Sequence, residues 1–232
     1  MSIGDTSQAL TPSYDPLGTA AIAPSWFVGG ETLRKSGVGL LFFAYGDDKG
    51  VGFFLGEVVK AARSFKKHSP GVQMAIVSNN ATVAPGLFSH HIQPREDMLF
   101  PGVECPYGPK NCQKHAARRQ WLTRLYYMAH TPFELTWALD SNVVNCAPGG
   151  VESFLSRAMA ARMWGFDIAH PSQSKGSMYP HNWSILFLWS TRTASLLRDW
   201  LLLQLHRGVA KDDQATLYAA EQAKPPYLSI DL

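Results

Sequence analysis

The chain has 232 residues, 46% of them hydrophobic and 17% charged, enough to bury a sizeable core in one domain. Its formal net charge of +3 is mild, and Arg34-Lys35, Lys66-Lys67-His68 and Arg118-Arg119 are short, separate groups, unlike the continuous stripe of a nucleic-acid binder. Three cysteines, Cys105, Cys112 and Cys146, exclude a disulfide framework.

Residues 1–35 read as an irregular N-terminal arm, with Pro12, Pro16 and Pro24 and neither the basic start nor the apolar run of a signal peptide. The apolar stretches Ile185–Trp189 and Trp200–Leu203 are far too short to span a bilayer, so no membrane span is expected in this chain. A cytoplasmic location follows from the few cysteines and the missing signal; the alternative is a secretory lumen, with an N-terminal anchor outside this chain. The spacing of Cys105, Cys112 and His115 matches no common zinc finger or ribbon. Asn80-Ala-Thr82 and Asn182-Trp-Ser184 are formal glycosylation sequons of a kind that arises often by chance.

From residue 36 onward the pattern is α/β, one Rossmann-like domain over 36–232 with a mainly parallel sheet flanked by helices. Val38–Tyr45 is an apolar run of strand length, and Gly46-Asp47-Asp48-Lys49-Gly50 has the composition of a loop. Phe53–Lys67 carries helical spacing over Phe54, Val58, Ala61, Ala62 and Phe65, and Val72–Val77 is a second buried strand. Strand, helix and strand in this order make a parallel unit, so the loops after Tyr45 and Val77 open on the same edge. Residues 81–113, rich in Pro, Gly and His, read as an excursion across the surface.

His115–His130 is the next helix, with Trp121, Leu125, Met128 and Ala129 on one stripe. Arg124 flanks that stripe, as a solvated side chain or as one that reaches the sheet edge. Thr131-Pro-Phe-Glu-Leu-Thr-Trp-Ala-Leu-Asp140-Ser141-Asn142 reads as a turn, a strand over Leu135–Leu139, and an aspartate where the strand ends. Carboxyl ends of strands are where open α/β sheets place ligand chemistry; a solvated strand-end Asp is the plainer alternative. Helices over Val151–Trp164, Thr193–His206 and Ala215–Gln222 and a strand over Trp183–Trp189 complete the pattern, with Asp212-Asp213-Gln214 at a helix amino end suited to acidic residues.

Four pieces in this order resemble the nucleotide-diphospho-sugar transferases of GT-A fold, of the glycogenin-like kind. They are Leu40–Gly46, Arg124 through Asp140-Ser141-Asn142, His181-Asn182 with the strand after it, and Asp213-Gln214. The resemblance implies a glycosyltransferase that moves a sugar from a nucleotide-diphosphate sugar to a carbohydrate or protein hydroxyl acceptor, by a retaining mechanism. It implies that Ala44, Tyr45, Gly46 and Asp47 face the base and ribose, and that Arg124 contacts sugar or phosphates. Asp140, Ser141 and Asn142 would line the diphosphate, with Asp140 and Asn142 holding Mn2+ or Mg2+. Asn182, Asp213 and Gln214 would orient the sugar and serve catalysis.

The chemistry of these residue types agrees with such a site: a departing diphosphate needs a divalent cation or basic groups, and carboxylates two residues apart suit a hard cation. Asn142 departs from the family's Asp-x-Asp; an amide oxygen ligates without charge, so a weak metal site is expected. The family's strands after the Asp-Gln helix, which supply a metal-binding His, are expected to be missing before Leu232. Two other classes of function stand beside this one: a catalytically silent GT-A-like binding or scaffold domain, and a nucleic-acid-binding module suggested by the basic pI alone.

Overall fold

The computed structural model describes residues 37–45, 48–80, 84–94, 124–163, 168–170, 184–206 and 229–231, with the helical positions Leu217 and Ala220. Seven strands form one sheet: β1 (Val38–Ala44), β2 (Gln73–Ser78), β3 (His90–Ile92), β4 (Leu135–Ala138), β5 (Ile168–His170), β6 (Ile185–Leu188) and β7 (Ser229–Asp231). The described helices are α1 (Asp48–His68), a helical segment over residues 124–129, α2 (Gly150–Met163) and α3 (Thr191–His206).

The strand order is β3-β2-β1-β4-β6-β5-β7. β1 pairs parallel with both β2 and β4, and β2 with β3; β6 is antiparallel to β4 and β5, and β7 is parallel to β5. Among the described strands only β6 is reversed, so the α/β class and the mainly parallel sheet are as expected. From β1 the chain builds outward to β2 and β3, then returns to place β4 on the other side of β1. The carboxyl ends of β1 and β4 therefore flank the point where the strand order reverses, the place where doubly wound sheets open a crevice.

Alternation along the strands divides the core into two layers, as expected for a sheet covered on both faces. Leu41, Phe43, Tyr45, Ala75, Val77 and Ala138 pack on one face with Leu125, Met128 and, from α3, Leu196, Leu197 and Trp200. Leu40, Phe42, Ala44, Met74, Ile76 and Leu139 pack on the other with Val58, Ala61, Ala62 and Phe65 of α1. On that second face Leu135 and Leu186 continue the layer against Phe154 and Ala158 of α2.

Several boundaries differ from the sequence reading. α1 starts at Asp48 rather than Phe53, so Asp48, Lys49 and Gly50 are helical instead of belonging to a loop. An acidic first residue suits the positive amino end of a helix, while the glycines there have the poor helix propensity that makes the stretch read as a loop. Within the stretch read as a surface excursion, His90–Ile92 forms an edge strand on β2. Beyond Pro225-Pro226, where strands were expected to be missing, Ser229–Asp231 adds β7 to the sheet. α3 begins at Thr191, two residues earlier than predicted, because Ser190 caps it: the Thr193 amide donates to the Ser190 hydroxyl at 3.0 Å. The N-terminal arm, most of 115–130 and most of 215–222 lie outside the described residues.

Candidate functional site

The approach to the site is built by buried polar contacts at the start of β4. The Thr131 and Thr136 hydroxyls lie 2.7 Å apart, and the Phe133 amide donates to Thr131 Oγ1 at 3.3 Å. The Gly37 carbonyl accepts from the amides of both Glu134 and Leu135, each at 3.1 Å, and Gly37 has a φ of +74° that L side chains rarely adopt. These contacts set the register in which β4 meets β1, and hence where β4 ends. At its far end the Leu139 amide still donates to the Leu41 carbonyl at 3.0 Å, so the pairing runs to the residue before Asp140.

There the chain turns. The Val143 amide donates to the Asp140 carbonyl at 3.2 Å, making residues 140–143 a tight turn with Ser141 and Asn142 at its two central positions. Asn142 is exposed and Asp140 half-buried. Arg124 Nη1 donates to Asp140 Oδ1 at 3.4 Å, with the Arg124 side chain 14% exposed and that of Asp140 41%. Arg124 is thus a residue that reaches the sheet edge rather than a solvated one.

The electrostatics of the pair are set by enclosure. Displacement of water by the surrounding protein raises the Asp140 carboxyl above its ordinary value, and the Arg124 charge only partly opposes this. The contact is long and one partner is well exposed, so the pair is worth on the order of 1 kcal/mol or less. It holds a guanidinium beside a carboxylate.

Tyr45 stands behind Arg124. Its buried ring meets Phe43 edge-on with centroids 6.3 Å apart. Burial holds its phenol well above the ordinary range, and a hydrogen bond to the Arg124 backbone and the Arg124 charge offset part of that rise. Tyr45 is therefore a protonated phenol packed into the core beside the Arg124 backbone. Its ring faces inward, and its backbone directly follows Ala44, the last residue of β1.

Of the residues singled out from sequence, Ala44 at the end of β1, Tyr45 just after it, Arg124 on the helical segment, and the Asp140-Ser141-Asn142 turn after β4 lie at the same end of the sheet. Gly46, Asp47, Asn182, Asp213 and Gln214 lie outside the described residues. Ser141 does not line this side: its hydroxyl donates to Glu57 Oε2 of α1 at 2.6 Å. Glu57 had no signal in the sequence, since it lies on a helix face 84 residues from its partner.

For a divalent cation the described donors are the Asp140 carboxylate and the Asn142 amide oxygen, a fit in donor type for a hard ion. No group of three or more His, Cys, Asp or Glu converges among the described residues. Among them, too, no helix is long and apolar enough to cross a membrane.

No protein-family model and no curated protein matches the sequence. The structure is similar to that of the glycosyltransferase GlyE of Streptococcus pneumoniae TIGR4, with a TM-score of 0.49 and 11% identity over 84% of this chain and 45% of that one. It is also similar to the mannosyltransferase Ktr4p from S. cerevisiae in complex with GDP, with a TM-score of 0.37 and 10% identity over 71% of this chain and 52% of that one. The chain spans about half the length of these solved structures.

Proposed function

We propose that this chain binds a nucleotide-diphosphate sugar in the crevice between the carboxyl ends of β1 and β4. It transfers the sugar to a hydroxyl of a carbohydrate or protein acceptor, as a GT-A-type glycosyltransferase. The observation that carries this reading is the Arg124–Asp140 pair at the point where the strand order reverses. A diphosphate needs both functions that the pair supplies: a forked cationic donor for its oxygens and a carboxylate for the accompanying cation.

In this reading Arg124 leaves Asp140 for the phosphate oxygens, a small change because the resting contact is weak. Asp140, with the Asn142 amide oxygen as a second donor, would hold Mn2+ or Mg2+, which when bound would supply charge neutralisation at the departing diphosphate. Transfer breaks the bond between the anomeric carbon and the diphosphate oxygen and forms one to the acceptor oxygen, whose proton is lost. Asn182, Asp213 and Gln214 are assigned by the family resemblance to orient the sugar and acceptor, with Asp213 as the candidate base.

Calorimetric titration with UDP and with GDP, each with and without manganese, tests the reading. Binding of one nucleotide, strengthened by manganese and lost in Asp140→Ala, is the expected result; no binding of either overturns it. A second reading, a binding domain without turnover, is favoured by Asn142, whose uncharged amide leaves Asp140 as the one described carboxylate of the turn. Manganese-dependent hydrolysis of a donor sugar that disappears in Asp140→Ala would exclude it.

A further inference from the structure

The turn that carries Asp140 is held from the opposite side of the sheet. Ala138 of β4 and the Asp140 carboxylate lie on the face shared with the 124–129 segment, and Leu139 and the Ser141 hydroxyl on the face covered by α1. On that second face the Ser141 hydroxyl donates to the Glu57 carboxylate at 2.6 Å, a short charge-assisted bond. Farther along the loop, the Asn145 amide donates to Ser64 Oγ at 2.8 Å, its side chain to Ser69 Oγ at 3.4 Å, and Ser69 Oγ to Glu152 Oε2 at 2.9 Å. The loop is therefore strapped along the length of α1, and its first strap is made by the residue next to Asp140.

We propose that Glu57 is a positioning residue for the ligand-binding carboxylate: by fixing Ser141 at the centre of the 140–143 turn, it sets where Asp140 stands relative to Arg124. This rests on the reading of Asp140 as a ligand-holding group. Among the described residues the Asp140 carboxylate makes one contact, the long one to Arg124 at 3.4 Å, so its placement depends on the backbone that bears it. That backbone is fixed on one side by the Leu139–Leu41 pairing and on the other by Ser141–Glu57. Glu57 lies on the far face from Asp140 and acts through Ser141, without touching the ligand.

The test titrates the full chain with UDP and with GDP in the presence of manganese, with thermal melts run in parallel. Glu57→Ala and Ser141→Ala each weaken nucleotide binding about tenfold, the scale typical of losing a partner that orients a ligating group. The double variant is no weaker than either single one, because both remove the same bond. Glu57→Gln, whose amide oxygen still accepts from Ser141, stays within about threefold of the wild type. Asn145→Ala, which removes the side-chain bond to Ser69 and keeps the backbone bond to Ser64, lowers the melting temperature without weakening binding.

Unchanged binding in Glu57→Ala and Ser141→Ala overturns the proposal, as does a loss that Asn145→Ala reproduces in step with its melting temperature. A wild-type chain that binds neither nucleotide overturns the proposed function itself, and the positioning role with it.

Discussion

At the scale of single residues, Asp140 has the clearest measurable signature. Its carboxyl is raised above the ordinary value of 3.8, first by loss of water and only partly offset by Arg124. The sign follows from linkage: the folded state holds this proton more tightly than the unfolded chain does. Stability associated with Asp140 is therefore highest below the ordinary carboxylate range and falls as pH rises from that range through the raised folded value. Asp140→Asn carries no such titration. Urea midpoints measured from acid to neutral pH should show the wild type losing stability relative to Asp140→Asn across that window, with a constant difference above it. A difference that grows in the opposite direction would mean that Arg124, not burial, dominates the carboxyl. Arg124 also shows where residue-level reading stops. Its position beside an apolar stripe favours a solvated role over a site-facing one, and the helix phase decides for the second only once β4 is in place.

Among the elements, those with strong periodicity were legible and those fixed by pairing alone were not. β1, β2 and β4 read as buried runs because a sheet covered on both faces makes nearly every position apolar. β3, β5 and β7, at three residues each, are too short to show any period; partners supplied from elsewhere in the chain make them strands. The site divides in the same way. Asp140 was visible as an acidic residue after a strand, whereas Glu57–Ser141 joins residues 84 positions apart and left no local trace. The β1–β4 pairing on which the site depends has a sharp steric requirement: a Cβ built at Gly39 would lie 2.3 Å from the ring of Phe133. Phe133 is fully buried, so its ring has little room to yield. Gly39→Ala should therefore destabilise the protein by about 1–3 kcal/mol, the usual cost of overpacking a core. Gly39→Ala combined with Phe133→Leu should recover part of that loss. Denaturant unfolding checks both, and a single variant as stable as the wild type would show that the β1–β4 contact is looser than drawn.

For the molecule as a whole, strand order explains why the candidate residues meet where they do. Ala44 ends β1 and Tyr45 follows it, Asp140 follows β4, and these neighbouring strands are separated in sequence by the whole excursion through β2 and β3. A ligand bound there bridges the two directions in which the chain builds its sheet, so its binding should stiffen the centre and leave the edges alone. At a nucleotide concentration one hundred times the dissociation constant, binding would add about 2.7 kcal/mol to global stability. The local pattern is more telling. Hydrogen exchange with and without UDP or GDP plus manganese should show added protection at the Leu139 amide, paired to Leu41, and at the Val143 amide that closes the Asp140 turn. Amides of β3 and β7, at the two ends of the sheet, should exchange by local opening at the same rate in both states. Protection concentrated at either end, with residues 139–143 unchanged, would place the nucleotide elsewhere and remove Asp140 and Arg124 from its binding site.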